Sequence, residues 1–276
     1  VAWHARLALD LRMEAGRCVA RHEHDGPLRI LQTLYPEGDG IAHNVLVHPP
    51  SGLVGGDTLD LAIHVAHDAQ GLVTTPGASR FYRSQGERAI QRTRIRLQEG
   101  ARFEWLPLEA ICYSGCLAEN HLTLDLAPGA ELIGWDVAAL GLPEAQQPFV
   151  KGSLLQHFEL RDAWLERGRI AADDARLMDG PLGLSGQRCL ATLFMAAGTD
   201  IGRARREEAL ALAREAIAGD SLCSMAGATA PGPRVLVVRV LAPLVEPALG
   251  LLKAIRSAWR PALWGLAPTQ PRTWAL

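Results

Sequence analysis

The feature that most constrains this chain is a repeat. The segments "HDAQGLVTTPG" (67–77), "QEGARFEWLP" (98–107) and "APGAELIGWD" (127–136) align on Ala69, Ala101 and Ala130, with spacings of 32 and 29 residues. An alternating apolar run precedes each alanine: Leu59/Leu61/Ile63/Val65, then Ile95/Leu97, then Leu122/Leu124/Leu126. A shorter apolar run follows each: Leu72/Val73, Phe103/Trp105, Leu132/Ile133. Period-two alternation marks a half-buried strand, and Gly, Pro or Asp at the corner marks a tight turn. Each unit therefore reads as strand, turn, strand. One such unit cannot bury its own apolar face, but a recurrence of about 30 residues lets neighbouring units bury it for one another. The expected fold class is mainly β: stacked, helix-like β-strand units of about 30 residues. A row of ordinary hairpins in a sandwich is the alternative.

Strand patterns continue at 153–160, 164–171, 187–195 and 234–241. Helical spacing appears only in the C-terminal third, where about two helices are expected. "RARREEALALAREAIAG" (203–219) puts Leu210, Ala213 and Ile217 on one face, with Gly219 as a C-terminal cap. "VEPALGLLKAIRSAW" (245–259) aligns Ala248, Leu251, Leu252, Ile255 and Trp259, and Pro261 is expected to stop it. "ATAPGPR" (228–234) is the most loop-like stretch and is expected to join the first helix to the last strand. No linker divides the chain, so residues 1–276 read as one unit.

A formal net charge of −2 gives no electrostatic footprint for nucleic acid or an anionic membrane. No run of 18 apolar residues exists. The five cysteines are odd in number and scattered, which fits a reducing cytoplasm better than a disulfide framework. The chain opens at Val1 without Met and without a signal pattern, and a cytoplasmic protein preceded by a few further residues is expected.

"HPPSGLVGGDTLDL" (48–61) packs three glycines ahead of Asp57 and a strand. A phosphate loop is excluded, because such loops open a helix and, in the P-loop, carry a lysine in fixed context. Neither Lys151 nor Lys253 has that context. Asp57 either accepts backbone N–H groups at its turn or meets a hydrated cation. Asp136 and Glu104 each close the second strand of a unit, and Glu104 and Glu109 flank "WLPL". Stacking would set Glu104 and Asp136 above one another in a file of carboxylates, although an exposed strand position suits Glu104 as well. Tight metal sites are not supported. His64 and His67 are three apart and point to opposite strand faces. His22 and His24 lie in "RHEHDG", which reads as a solvated turn, and Cys112 and Cys116 flank a turn with no histidine to complete a tetrahedral set.

"GPLRILQTLYPEG" (26–38), "HPPSGLVGGDTLDL" (48–61), "TTPGASRFYRS" (74–84), "GARFEWLPLEAI" (100–111) and "GAELIGWDVAALG" (129–141), with "PRTWAL" (271–276) at the end, run in an order that resembles the UreD (UreH) family of urease accessory proteins. The chain departs from the family pattern at Ser51, at Arg80 and across "EAICYSGC" (109–116). The resemblance implies a non-enzymatic chaperone for nickel insertion into urease. It implies docking on the urease apoprotein, binding to UreF and, through UreF, contact with the GTPase UreG. No cofactor would be held stably. Nickel(II) would pass transiently through the interior, with Asp57, Asp136, Glu109 and Glu104 as candidate path residues. Weak oxygen ligation suits a path, because several His or Cys ligands would retain the ion. Leu251, Ile255 and Trp259, with Trp264 and Trp274 nearby, are the candidate UreF-binding residues. The rival reading is a β-stack enzyme acting on a small molecule or glycan through a carboxylate pair such as Glu104 and Glu109. A second rival is a passive scaffold with no path.

Overall fold

The computed structural model describes residues 2–50 and 52–275; the departure at Ser51 and the final Leu276 lie outside the described residues. In chain order the strands are β1 (His4–Glu14), β2 (Arg17–Asp25), β3 (Arg29–Leu34), β4 (Ile41–Val47), β5 (Thr58–Val65), β6 (Gln70–Thr74), β7 (Ser79–Phe81), β8 (Ala89–Leu97) and β9 (Arg102–Leu106). They continue with β10 (Ala110–Cys112), β11 (Cys116–Leu126), β12 (Glu131–Leu142), β13 (Gln147–Pro148), β14 (Gly152–Leu160), β15 (Trp164–Ala171), β16 (Cys189–Ala197), β17 (Ala226–Gly232) and β18 (Val235–Ala242). Three α-helices are described: α1 (Ala175–Asp179), α2 (Arg203–Ala218) and α3 (Val245–Trp259).

The repeat is a coil. One sheet runs β15-β14-β11-β8-β5-β1-β2, with β1, β5, β8, β11 and β14 paired in parallel. The other runs β17-β18-β16-β12-β9-β6-β4-β3, with β4, β6, β9 and β12 parallel. The chain crosses between them once per unit at tight turns. Gln70, Arg102 and Glu131 share one register row, so Ala69, Ala101 and Ala130 fall directly above one another, all fully buried. A third short ladder, β7-β10-β12, closes the coil. There Leu53, Phe81, Cys112 and Leu140 form one buried row. Cys112 and Cys116 do come together across the 113–115 turn, and the Cys112 thiol is held above its usual range by its hydrogen bond to Cys116 and by burial.

The opening corner shows why its glycines are needed. A Cβ on Gly55 would lie 2.4 Å from Ser84 Oγ, and one on Gly52 would lie 2.2 Å from the Tyr82 ring. Gly56 also holds φ +95°, a left-handed conformation open to glycine. The corner packs against the corner of the next coil with no space for side chains.

Two apolar cores result. The inner faces of the two sheets enclose one, containing Leu9, Ile63, Ile95, Leu124, Phe103 and Phe194. The second sheet turns its other face to α2 and α3 over Ile133, Trp135, Leu193 and Leu236. The helices form at the expected residues, and Gly219 caps α2. Pro261 does not stop the chain's winding: a π-turn runs from Arg260 to Trp264 and ends at Gly265 in the left-handed conformation. Two further expectations are corrected. Residues 226–232 form the edge strand β17, with a bulge around Pro231 that an edge position tolerates. "RHEHDG" lies in β2 and at its end, where His22 and His24 share a face with ring centroids 6.5 Å apart.

The expectation that Leu251, Ile255 and Trp259 form a docking face is also corrected. All three are at most 1% exposed, packed between α3 and the second sheet. Trp259 Nε1 donates to Ala209 O in α2, Trp264 Nε1 to Glu131 Oε2, and Trp274 Nε1 to Thr74 Oγ1. These tryptophans fasten the helical layer to the stack.

A buried charge network reinforces that fastening. Arg256 donates to both oxygens of Glu104, at 2.7 and 3.0 Å. Arg260 reaches Glu104 at 3.5 Å and donates to both oxygens of Glu37, and His43 Nε2 pairs with Glu37 at 2.8 Å. Burial pushes the Glu37 carboxyl up, but hydrogen bonds from His43 and Arg260 outweigh it and hold the group below its ordinary range. Removing one member of a buried pair strands its partner at a cost of about 3–5 kcal/mol. We expect Arg256→Ala to lose about that much in a urea titration. A loss below about 1 kcal/mol would show that the network does not hold the layers together.

Candidate functional site

Glu104 and Asp136 point to opposite faces of the second sheet. Glu104 shares a row with Leu72 and Ile133, on the helix side, and is 2% exposed. The file of stacked carboxylates is therefore corrected, as is an exposed position for Glu104: its charge is matched by Arg256 and Arg260. Asp136 faces inward, between the two sheets.

Around Asp136 is a polar row that the sequence reading missed. Gln91 on β8, Asn120 on β11 and Gln156 on β14 occupy one register row of the first sheet. Asn120 Nδ2 donates to Asp136 Oδ2 and Gln156 Nε2 donates to Asp136 Oδ1, each at 2.6 Å. Asp136 thus bridges the sheets through amides. The signal was present in the strand phase: in "AIQRTRIRL", "CLAENHLTLDL" and "GSLLQHFEL" an amide stands at an inward position that is otherwise apolar or small. Burial pushes the Asp136 carboxyl up to about 6, against the hydrogen bond from Asn120, the charge of Arg239 and the hydrogen bond from Gln156. Arg239 in turn is ion-paired with Glu166.

Each end of the row lines an opening. At one end, Gln91 lines a chamber of about 280 Å³ with His48, Thr75, Ser79 and Arg80. His48 Nε2 is buried there and has no hydrogen-bond partner among the described residues, and burial lowers the pKa of its ring, opposed by the charge of Asp57. At the other end, Gln156 and Arg239 line a cleft of about 490 Å³ with Glu166 and Arg169.

Asp57 lies beside the first opening, 3% exposed. Its Oδ1 accepts the Trp3 N–H at 2.8 Å and its Oδ2 accepts the Val54 N–H at 2.9 Å. Both oxygens hold the corner. Glu109 is half-buried in a separate cleft at the start of α3. The structure thus brings none of the four acids into one cluster, and no group of three or more His, Cys, Asp or Glu able to hold a metal ion exists among the described residues. Glu104 is closed off by arginine, so a Glu104–Glu109 acid pair is not available for glycoside chemistry.

The sequence profile of the UreD urease accessory proteins matches residues 4–275. The chain belongs to the UreD family. It is 64% identical over 275 residues to the urease accessory protein UreD of Variovorax paradoxus, with 100% of both chains covered. It is 62% identical over 276 residues to that of Polaromonas naphthalenivorans, again with 100% of both covered. The UreD of Methylibium petroleiphilum is 45% identical over 297 residues, covering 99% of each. No helix among the described residues is long and apolar enough to cross a membrane.

Two outcomes follow for the acids. The folded Asp136 binds its proton more tightly than an unfolded aspartate, so this group's contribution to stability is fullest below about pH 4 and is lost as pH rises through about 6. Two pKa units correspond to about 3 kcal/mol. We expect the stability of Asp136→Asn relative to wild type to rise by up to that amount between about pH 4 and 7, read as melting temperatures across pH. Parallel profiles for the two proteins would contradict the assignment. Asp57→Asn offers one acceptor oxygen to two N–H donors, and we expect it to destabilise the fold by about 1–3 kcal/mol in a denaturant titration. An unchanged midpoint would remove the corner-holding role.

Proposed function

We propose that the chain serves urease as a non-catalytic chaperone for nickel insertion. It docks on the urease apoprotein, binds UreF and through it the GTPase UreG, and gives nickel(II) a path between its two sheets. The family match over residues 4–275 carries the chaperone reading. The polar row Gln91–Asn120–Gln156, with Asp136 across from it, supports the path.

The chemistry is that of passage rather than retention. Hard or borderline divalent ions keep water readily when the protein offers oxygen donors singly, and are held when nitrogen and sulfur ligands converge. Amide oxygens and one carboxylate can hydrogen-bond the hydration shell of an ion without replacing it. Of the four candidate acids, Asp136 is the one an ion between the sheets would meet. Asp57 bounds the opening through the backbone it fixes, Glu104 stabilises the helical layer, and Glu109 belongs to another surface. A buried carboxylate also gives the ion a counter-charge that a low-dielectric interior otherwise lacks.

The test is urease matured in cells that express variants of this chain. We expect Asp136→Asn to assemble with UreF, UreG and urease as wild type does, yet to yield urease with severalfold less nickel and activity. Asp125→Asn, on the outer face of the first sheet, should leave both unchanged. Full nickel loading with Asp136→Asn would leave a scaffold without an interior path. Failure of the wild-type chain to raise urease activity would remove the chaperone reading itself.

A further inference from the structure

A cleft of about 450 Å³ opens where β12 ends and where β16 and α3 begin. Ile111, Ala139, Leu142 and Val245 give it an apolar lining, and Pro143 and Pro243 stand at its exposed rim. Three carboxylates, Glu109, Glu144 and Glu246, line it too, and none has an ion pair or side-chain hydrogen bond among the described residues. The single basic residue in the lining is Arg188, and its guanidinium is already engaged: it donates to Asp179 Oδ1 at 2.8 Å and to the carbonyls of Met178 and Gln187. The negative charge of the cleft is therefore uncompensated among the described residues.

The carboxylates are not a cation site, since no three such groups converge to hold a metal among the described residues. They surround an apolar floor instead. Cys189 lies on that floor, 1% exposed, and burial together with the charges of Glu109, Glu246 and Asp136 pushes its thiol up to about 12. The thiol stays neutral, and the floor stays apolar. The first turn of α3 has no side-chain cap, because its N-cap is Leu244. Helix N–H groups at such a turn can take a carbonyl from an incoming backbone.

We propose that this cleft is a docking groove for a segment of a protein partner that seats a branched aliphatic side chain on the Ile111/Ala139/Leu142/Val245 floor and sets arginine or lysine side chains against Glu109, Glu144 and Glu246. An apolar anchor fits the floor, and basic flanks complete charges the chain leaves unmatched. A nucleic acid is repelled by the same three carboxylates, and a bare apolar partner would leave them desolvated without partners. The groove is on the side of the second sheet where the helices pack.

The inference rests on the chaperone reading only for the proteins to be tested. Tagged chain is co-expressed with UreF, and separately with the urease apoprotein, and the captured partner is quantified at about 0.1 and 0.5 M salt. We expect the pair Glu144→Lys/Glu246→Lys, both on exposed positions, to lose about tenfold or more of one partner and to keep the other. The kept partner reports that the variant is folded. The same wild-type complex should weaken at the higher salt. Should the lysine pair melt below wild type, Glu144→Gln/Glu246→Gln carries the test, with a smaller loss of the same partner. Capture of both partners at the wild-type level overturns the groove while leaving the chaperone reading in place. Loss of both by a variant that melts like wild type also overturns it, because one groove seats one segment. Capture of neither partner by the wild-type chain overturns the chaperone reading and the groove together.

Discussion

A slip of one residue between neighbouring coils would turn every side chain of that strand to the opposite face. In this molecule both faces of the second sheet are buried, one on the inner core and one on the helices, so register has two cores to satisfy at once. The turn alanines fix it. Ala69, Ala101 and Ala130 sit where a larger side chain would part the coils, and each is fully buried. From that row the faces follow by parity. Glu104 stands three residues after its alanine and meets the helices; Asp136 stands six after its own and meets the opposite sheet.

The two buried acids illustrate different solutions to the same cost. Glu104 is paired with two arginines that arrive from the far end of the chain, more than 150 residues away in sequence. That arrangement makes the helical layer part of the stack's own electrostatics. Asp136 has amide donors with a guanidinium further off, and burial moves its proton affinity towards neutrality. A carboxylate in that state can shed or regain its proton near physiological pH. The first acid is fixed structure, and the second is the chemically responsive group of the interior.

Much of this was legible from the residues alone. The coil period, the strands from 153 onward and both long helices follow from turn chemistry and from periods of 2 and 3.6, which act locally. The parity of Glu104 and Asp136 was also present in the alignment on alanine, as was the amide at the inward phase of three strands. What periodicity cannot give is the identity of the covering surface. The stripe Leu251/Ile255/Trp259 has the same pattern whether it faces a partner or the protein's own sheet, and here the sheet covers it. β2 was hidden for another reason: as an outer strand it exposes charge for most of its length, so "RHEHDG" carries the polarity of a turn. The Arg256–Glu104 pair was illegible because nothing in local sequence marks which of many arginines will be fully buried.

The coils pair in parallel, yet each sheet ends in antiparallel strands: β2 and β15 in one, β3 and β17 in the other. A stack of identical parallel coils has no inherent reason to stop, and its open ends would accept another molecule's strands as readily as its own. Here the terminal strands reverse direction, carry charges or a proline-bearing bulge, and offer a mismatched edge. The chain is thereby a solenoid of closed length, with edges that disfavour end-to-end stacking. Evolution could lengthen it only by inserting a whole coil in the middle, where both new faces find parallel neighbours.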